Sequence, residues 1–320
     1  MPPSIRKFLP MPIQPEQLRE QLHDLSEAGE LSAEARHYQH YYGLDLTRPG
    51  EIHSRLGRFR VHGYDIVAQA WWPREPHATL LLLHGYYDHM GLYGHAVRWG
   101  LEMGFAVLAC DLPGHGLSSG PPAAINEFDE YQAVLFGLFE QARRLDLPRP
   151  WHLLGQSTGG AIVLDHLLHQ PAPDELGETI LLAPLVRPRA WLRSRLSYEL
   201  LRPFVREIRR TFTENSGDAQ FLDFVQSQDP LQATTLPTSW VGALARWIPR
   251  IEGAERSERS PIIVQGEADM TVDWQHNLPI LQAKFAEPQI LLLPEARHHL
   301  VNESEALRRR YFHFLRERLR

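Results

Sequence analysis

The pentapeptide Gly155-Gln156-Ser157-Thr158-Gly159 directly follows the apolar run Trp151 to Leu154 and directly precedes a helical run from Gly160. A serine hydroxyl is a weak nucleophile until a base takes its proton, and a tight strand-to-helix turn exposes it at the strand end. The flanking glycines remove side chains that would clash in such a turn. An acid and then a histidine must follow in the chain. Asp269 meets the first need, because Ile262 to Val264 reads as a strand and Gln265-Gly266-Glu267-Ala268-Asp269 as the loop beyond it. Asp273 competes, but the helical run from Trp274 makes it the better helix N-cap. The histidine falls in Pro294-Glu295-Ala296-Arg297-His298-His299-Leu300, after the strand Gln289 to Leu293. An imidazole of pKa about 6.5 can take the serine proton and return it to a leaving alcohol. His298 and His299 both qualify, and periodicity does not choose between them.

The attacked carbonyl needs donors for the charge that grows on its oxygen. His84-Gly85-Tyr86 ends the apolar run Thr79 to Leu83, so the peptide N–H groups of Tyr86 and Thr158 are expected to converge beside Ser157 as an oxyanion hole. His84, Gly85 and Tyr87 are expected to form the substrate-binding side of this loop, with His84 also bracing it by hydrogen bonds.

These groups must be held by a sheet. Thr79 to Leu83, Phe105 to Ala109, Trp151 to Leu154, Thr179 to Leu182, Pro261 to Val264 and Gln289 to Leu293 are apolar without alternation, as strands covered on both faces read. Helix-patterned stretches lie between them: Leu92 to Met103, Asn126 to Leu145, Gly160 to His169 and Trp274 to Phe285. The succession predicts an α/β fold with a mostly parallel, doubly wound sheet. Phe59 to Trp72, with Gly63 between two β-like runs, reads as an edge hairpin. Gln14 to Tyr42 reads as two short helices broken at Gly29. Leu185 to Ser260 carries no parallel strand but many aromatics, as an inserted helical cap would. The expected division is an N-terminal helical extension (1–57), a first core part (58–184), the cap (185–260) and a second core part (261–320).

Together the motifs resemble the monoacylglycerol lipase and lysophospholipase group of α/β-hydrolases, from about Arg58 onward. The likeness rests on His84-Gly85, on Asp111-Leu112-Pro113-Gly114-His115-Gly116-Leu117-Ser118-Ser119-Gly120, on the Ser157 pentapeptide with Gly160, and on Gly266-Glu267-Ala268-Asp269 with Ala296-Arg297-His298. Asp229-Pro230-Leu231, late in the cap, is a further match. The resemblance implies an α/β-hydrolase fold with Ser157 as nucleophile, Asp269 as acid, His298 as base and Tyr86 and Thr158 as oxyanion donors. It implies hydrolysis of single-chain acyl esters, lysophospholipids or monoacylglycerols, through an acyl-enzyme and without a cofactor. The same triad also serves aminopeptidases, thioesterases and acyltransferases, and a non-catalytic binding protein would lack a triad member.

Composition narrows the partners. The net charge of −6 does not suit a protein built to neutralise nucleic-acid phosphates. A single cysteine, Cys110, rules out an intramolecular disulfide, suits a reducing compartment and reads as an inert buried thiol. The seventeen histidines show no zinc spacing, so no metal is expected. Met1 to Pro10 is broken by prolines and lacks the apolar stretch of a signal peptide. No window approaches the roughly 20 apolar residues of a spanning helix. The expectation is a cytoplasmic protein, with peripheral contact at the inner membrane face left open. That contact is suggested by the cap. Leu192, Leu196, Leu200, Phe204 and Ile208 recur every four residues, with Pro203 kinking or dividing the helix, amid Arg187, Arg189, Arg193, Arg195, Arg202, Arg206, Arg209 and Arg210. The apolar stripe is expected to line an acyl-chain pocket while the arginines meet anionic headgroups or an anionic bilayer. A solvated basic helix packed on an acidic core is the equal alternative.

Overall fold

The computed structural model describes residues 13–27, 29–46 and 51–319; Met1 to Pro10 lie outside the described residues. The six apolar runs are strands: β3 (Ala78–Leu83), β4 (Phe105–Cys110), β5 (Trp151–Gln156), β6 (Leu176–Leu182), β9 (Ile262–Gly266) and β10 (Gln289–Leu293). An antiparallel hairpin, β1 (Ile52–Val61) and β2 (Tyr64–Pro73), occupies one edge. It begins seven residues before the Phe59 start read from the sequence. Polar His53, Ser54 and Arg55 mask that start, because an edge strand need bury only part of its surface. The sheet runs β1-β2-β4-β3-β5-β6-β9-β10, parallel from β4 onward and antiparallel at β1–β2 and β2–β4. It is a mostly parallel α/β sheet.

Alternation along each strand feeds two apolar layers. Leu81, Leu83, Ala106 and Leu108 pack into one, while Leu80, Leu82, Phe105 and Val107 pack into the other. The first layer is covered by α4 (Asp129–Arg144), α5 (Thr158–His169), α8 (Thr238–Glu252) and α9 (Trp274–Lys284). The second is covered by α3 (Gly94–Glu102) and α10 (Glu305–Arg316). Two N-terminal helices, α1 (Pro15–Gln21) and α2 (Ala33–Tyr41), add Leu18, Ala35 and Tyr38 to that second layer. Pro15 in the first turn suits the start of α1, and Ser32 Oγ accepts the Ala35 N–H at 3.1 Å to cap α2.

The interval 185–260 holds α6 (Trp191–Leu201), α7 (Ala219–Ser227) and α8, and also a short antiparallel ribbon of β7 (Glu207–Arg209) with β8 (Thr235–Pro237). The ribbon corrects the expectation of an all-helical insertion, since three-residue strands leave too little pattern to read. α8 anchors the interval: Trp240, Ala243, Leu244, Trp247 and Ile251 are buried at helical spacing. Each large apolar side chain so buried contributes roughly 1.5–3 kcal/mol. Trp247 stacks on Phe128 at 4.5 Å and donates to Asp165 Oδ2 at 3.0 Å. By contrast, α6 buries only Trp191. Among the described residues no helix is long and apolar enough to cross a membrane.

Candidate active site

Ser157 lies between β5 and α5 with φ 53° and ψ −110°, a conformation that non-glycine residues avoid. The turn is closed by backbone: the Ser157 N–H donates to Leu182 O at 2.9 Å, and the Leu185 N–H donates to Ser157 O at 3.1 Å. No Cβ fits at its flanks. One built on Gly155 would lie 2.3 Å from Gly159 O, and one on Gly159 would lie 2.2 Å from Leu83 O. Serine is a favoured helix cap, yet Ser157 makes no side-chain cap bond to α5. Its Oγ instead sits 2.9 Å from His298 Nε2.

The other imidazole nitrogen, Nδ1, lies 2.7 Å from Asp269 Oδ2. Asp269 Oδ1 accepts the N–H groups of Thr271 and Val272 at 2.7 and 3.1 Å, and Oδ2 accepts Gln265 Nε2 at 3.1 Å. The Gln156 side chain, next to the serine, donates to His298 O at 2.9 Å and locks the histidine loop against the turn. Burial alone would push the His298 pKa down; the Asp269 carboxylate and its hydrogen bond outweigh this and raise it above its ordinary value. Burial would push Asp269 up, but His298 and the two backbone donors hold it below the ordinary carboxylate value. The triad therefore favours a charged carboxylate under an imidazole whose protonated form is stabilised, as a base of serine requires. His299 points elsewhere: it is buried against Phe221 and Tyr93, with Nε2 3.1 Å from Asp88 Oδ2. Asp273 caps α9 by accepting the His276 N–H.

Thr158 opens α5, so its N–H falls in the first turn, where helices leave donors free. Among the described residues the Tyr86 N–H has no acceptor. Gly85 passes directly under the serine, for a Cβ there would lie 3.3 Å from Ser157 Cβ. Tyr86 spends its side chain on the wall of the site, stacked on Trp240 at 3.8 Å with its hydroxyl donating to Ala123 O. Tyr87 lines the cavity. His84 does not: it is fully buried, with Nδ1 donating to Gly85 O at 2.7 Å and Nε2 accepting the Leu112 N–H at 2.8 Å. Its expected place among the substrate-binding residues is corrected to bracing alone, and burial lowers its pKa to about 3. The Asp111 to Gly120 motif completes the brace. Asp111 Oδ1 and Oδ2 accept the N–H groups of Met90 and Leu117, each at 2.7 Å, and Ser118 Oγ ties Asp111 O to the Val67 N–H.

Ser157, Thr158 and His298 open on a cavity of about 570 Å³ whose walls include Tyr86, Tyr87, Phe212, Phe221, Val225, Leu236 and Trp240. That volume lies within the range of small-molecule sites, about 300–1,000 Å³. The family model described as Hydrolase_4, serine aminopeptidase S33, matches residues 74–305.

The chain belongs to this family. It has the α/β-hydrolase fold. It is 32% identical over 135 residues to the monoacylglycerol lipase of Mycolicibacterium smegmatis, covering 42% of this chain and 46% of that protein. It is 31% identical over 103 residues to phospholipase YtpA of Bacillus subtilis, covering 32% and 39% respectively. The matched region thus spans less than half the length of these relatives. A soluble variant of monoglyceride lipase from Saccharomyces cerevisiae superposes with a TM-score of 0.70 at 17% identity, over 82% of this chain and 94% of that one, which establishes a common fold.

In this α/β-hydrolase the stripe on α6 and beyond does not line the cavity. Leu192, Leu196, Leu200 and Phe204 are 75, 63, 65 and 84% exposed and face outward, which corrects the expected acyl-pocket role. A four-residue period places side chains on one face without saying which way that face looks. The basic segment divides as well: Arg187 turns in to Glu252, and Arg210 enters the cavity. Asp229, of the matched tripeptide, is a buried junction that sequence reading left without a role. Its Oδ2 lies 2.9 Å from His89 Nε2 and its Oδ1 accepts Tyr42 OH at 2.7 Å, joining the end of α7, the loop after β3 and the end of α2. Burial would raise its pKa, and His89 together with the Tyr42 and Gln232 hydrogen bonds more than offsets this.

Proposed function

We propose that the chain is a serine carboxylic ester hydrolase acting on single-chain acyl esters of the lysophospholipid or monoacylglycerol type. The observation that carries this reading is the relay from Ser157 Oγ to His298 Nε2, 2.9 Å, and from His298 Nδ1 to Asp269 Oδ2, 2.7 Å, at the wall of a cavity lined by aromatic and apolar groups. The relatives named as lipases and a phospholipase support the same class. His298 takes the Oγ proton as Oγ attacks the ester carbonyl, and the Tyr86 and Thr158 amides receive the oxyanion. Collapse expels the alcohol, which leaves with the proton from His298. Water, deprotonated by the same imidazole, then attacks the acyl-enzyme and regenerates Ser157. The segment 185–260 serves as the cap over the acyl chain.

A panel of p-nitrophenyl esters of graded length, monoacyl lipids, acyl thioesters and aminoacyl anilides tests this directly. Turnover of the esters and monoacyl lipids is expected. Cleavage of aminoacyl anilides without ester hydrolysis would favour a peptidase, the activity for which the family model is named.

The outward Leu192, Leu196, Leu200 and Phe204 lie beside exposed Arg193, Arg195 and Arg206, which supports seating of the cap on an anionic bilayer. Replacing Leu192 and Leu196 with serine is expected to weaken binding to phosphatidylserine vesicles by about a hundredfold or more, each buried apolar side chain being worth about 1.5–3 kcal/mol. Hydrolysis of a water-soluble ester should persist. Unchanged sedimentation with vesicles would refute this contact.

A further inference from the structure

Among the described residues, Arg210 is the one Lys or Arg lining the cavity beside Ser157. It follows β7, whose residues are exposed, and its N–H donates to Thr234 O at 2.9 Å, continuing the ribbon inward. Its guanidinium carbon lies 4.0 Å from the Tyr87 ring centre and 4.2 Å from that of Phe212. Nη1 donates to Gln232 Oε1 at 2.7 Å and to Ala233 O at 3.2 Å. Among the described residues, Nε and Nη2 have no acceptor, and no carboxylate lies within the 4.0 Å of an ion pair. The two carboxylates of the cavity wall are engaged elsewhere. Asp88 Oδ2 accepts Tyr93 OH at 2.9 Å beside His299, and Glu214 pairs with Arg297 at 3.2 Å.

A planar cation therefore lies against two rings, is held through one nitrogen, and keeps Nε and Nη2 without an acceptor at the wall of the cavity that Ser157 also lines. Burial pulls its pKa down from the ordinary value and Asp88 pulls it up; a guanidinium stays charged near neutral pH. Two parallel N–H donors match the geometry of a carboxylate or phosphate. We propose that Arg210 binds an oxyanionic group, phosphate or carboxylate, on the ester substrate and makes the enzyme selective for anionic over neutral single-chain esters. This rests on the ester-hydrolase reading and adds the charge of the substrate to it.

The test compares two matched pairs used below their micelle concentrations. Hexanoyl glycerophosphate against hexanoyl glycerol places the anion on the alcohol; mono-p-nitrophenyl adipate against p-nitrophenyl hexanoate places it on the acyl chain. Wild type is expected to favour the anionic member of at least one pair by about tenfold or more in kcat/KM. Arg210→Met should abolish that preference, chiefly through KM, while altering the neutral member by no more than about threefold. Arg210→Lys, which keeps the charge without the fork, should retain part of it and serves if the methionine variant fails to fold. The pair that shows the preference identifies which half of the ester carries the anion. Equal hydrolysis of both members in both pairs by wild type, or an equal loss on both in Arg210→Met, overturns the proposal. Hydrolysis of none of the four esters by folded wild type removes the ester-hydrolase reading, and this proposal with it.

Discussion

Ser157→Ala is expected to lower ester turnover by about 10⁴-fold to 10⁶-fold with the fold intact, the range found when a serine nucleophile is removed while its oxyanion donors stay. Only Oγ is lost, and the hydrogen bonds that shape the turn are backbone bonds that alanine keeps. A second substitution separates chemistry from strain. With φ 53° and ψ −110°, residue 157 costs the fold energy that alanine does not relieve and glycine does. Ser157→Gly should therefore be as inactive as Ser157→Ala but more stable than it by roughly 1 kcal/mol, read from denaturant midpoints. Equal midpoints would mean that the turn holds no strain.

Asp269→Asn is expected to lower kcat by about 10⁴-fold, because an amide in place of the carboxylate selects the wrong imidazole tautomer. The Thr271 and Val272 N–H groups already claim Oδ1, so the new amide oxygen settles there and the NH2 faces His298 Nδ1. Nδ1 must then accept, and Nε2 carries the proton that Ser157 needs to give away. The pH profile supplies a second readout. Asp269 raises the His298 pKa, and the base works only when neutral, so kcat/KM of the wild type should rise with pH through a midpoint higher than that of an ordinary histidine. Without the carboxylate the imidazole loses its proton more readily, and the acidic limb of the residual activity should move to lower pH. An acidic limb that stays in place would show that Asp269 does not govern the titration.

Much of this site was legible because its elements read clearly in one dimension. Leu80 to Leu83 and Phe105 to Ala109 are apolar at every position because both faces of the sheet are covered, and a serine between glycines at the end of such a run has few other structural uses. The choice between His298 and His299 was not legible from periodicity, since neighbouring residues in a loop carry no face; family likeness favoured His298, and the 2.9 Å approach to Ser157 agrees. The cap failed for a different reason. Its four-residue period grouped Leu192, Leu196, Leu200 and Phe204, all of them exposed, but whether such residues meet a cavity or solvent depends on what packs around them, and Trp191 is the one buried residue of α6. Arg210 was hidden among eight arginines of like appearance, because only the fold brings the chain just after β7 to the cavity wall. The Asp229 junction depends on His89 and Tyr42, which lie 140 and 187 residues away, and no local pattern joins them.

Covalent labelling with a fluorophosphonate, followed by intact mass and peptide mapping, tests the central claim most directly. The folded wild-type chain is expected to gain a single adduct on Ser157, which Ser157→Ala lacks and His298→Ala forms far more slowly. A folded wild-type chain that takes up no adduct, or takes it up on another residue, would contradict the account.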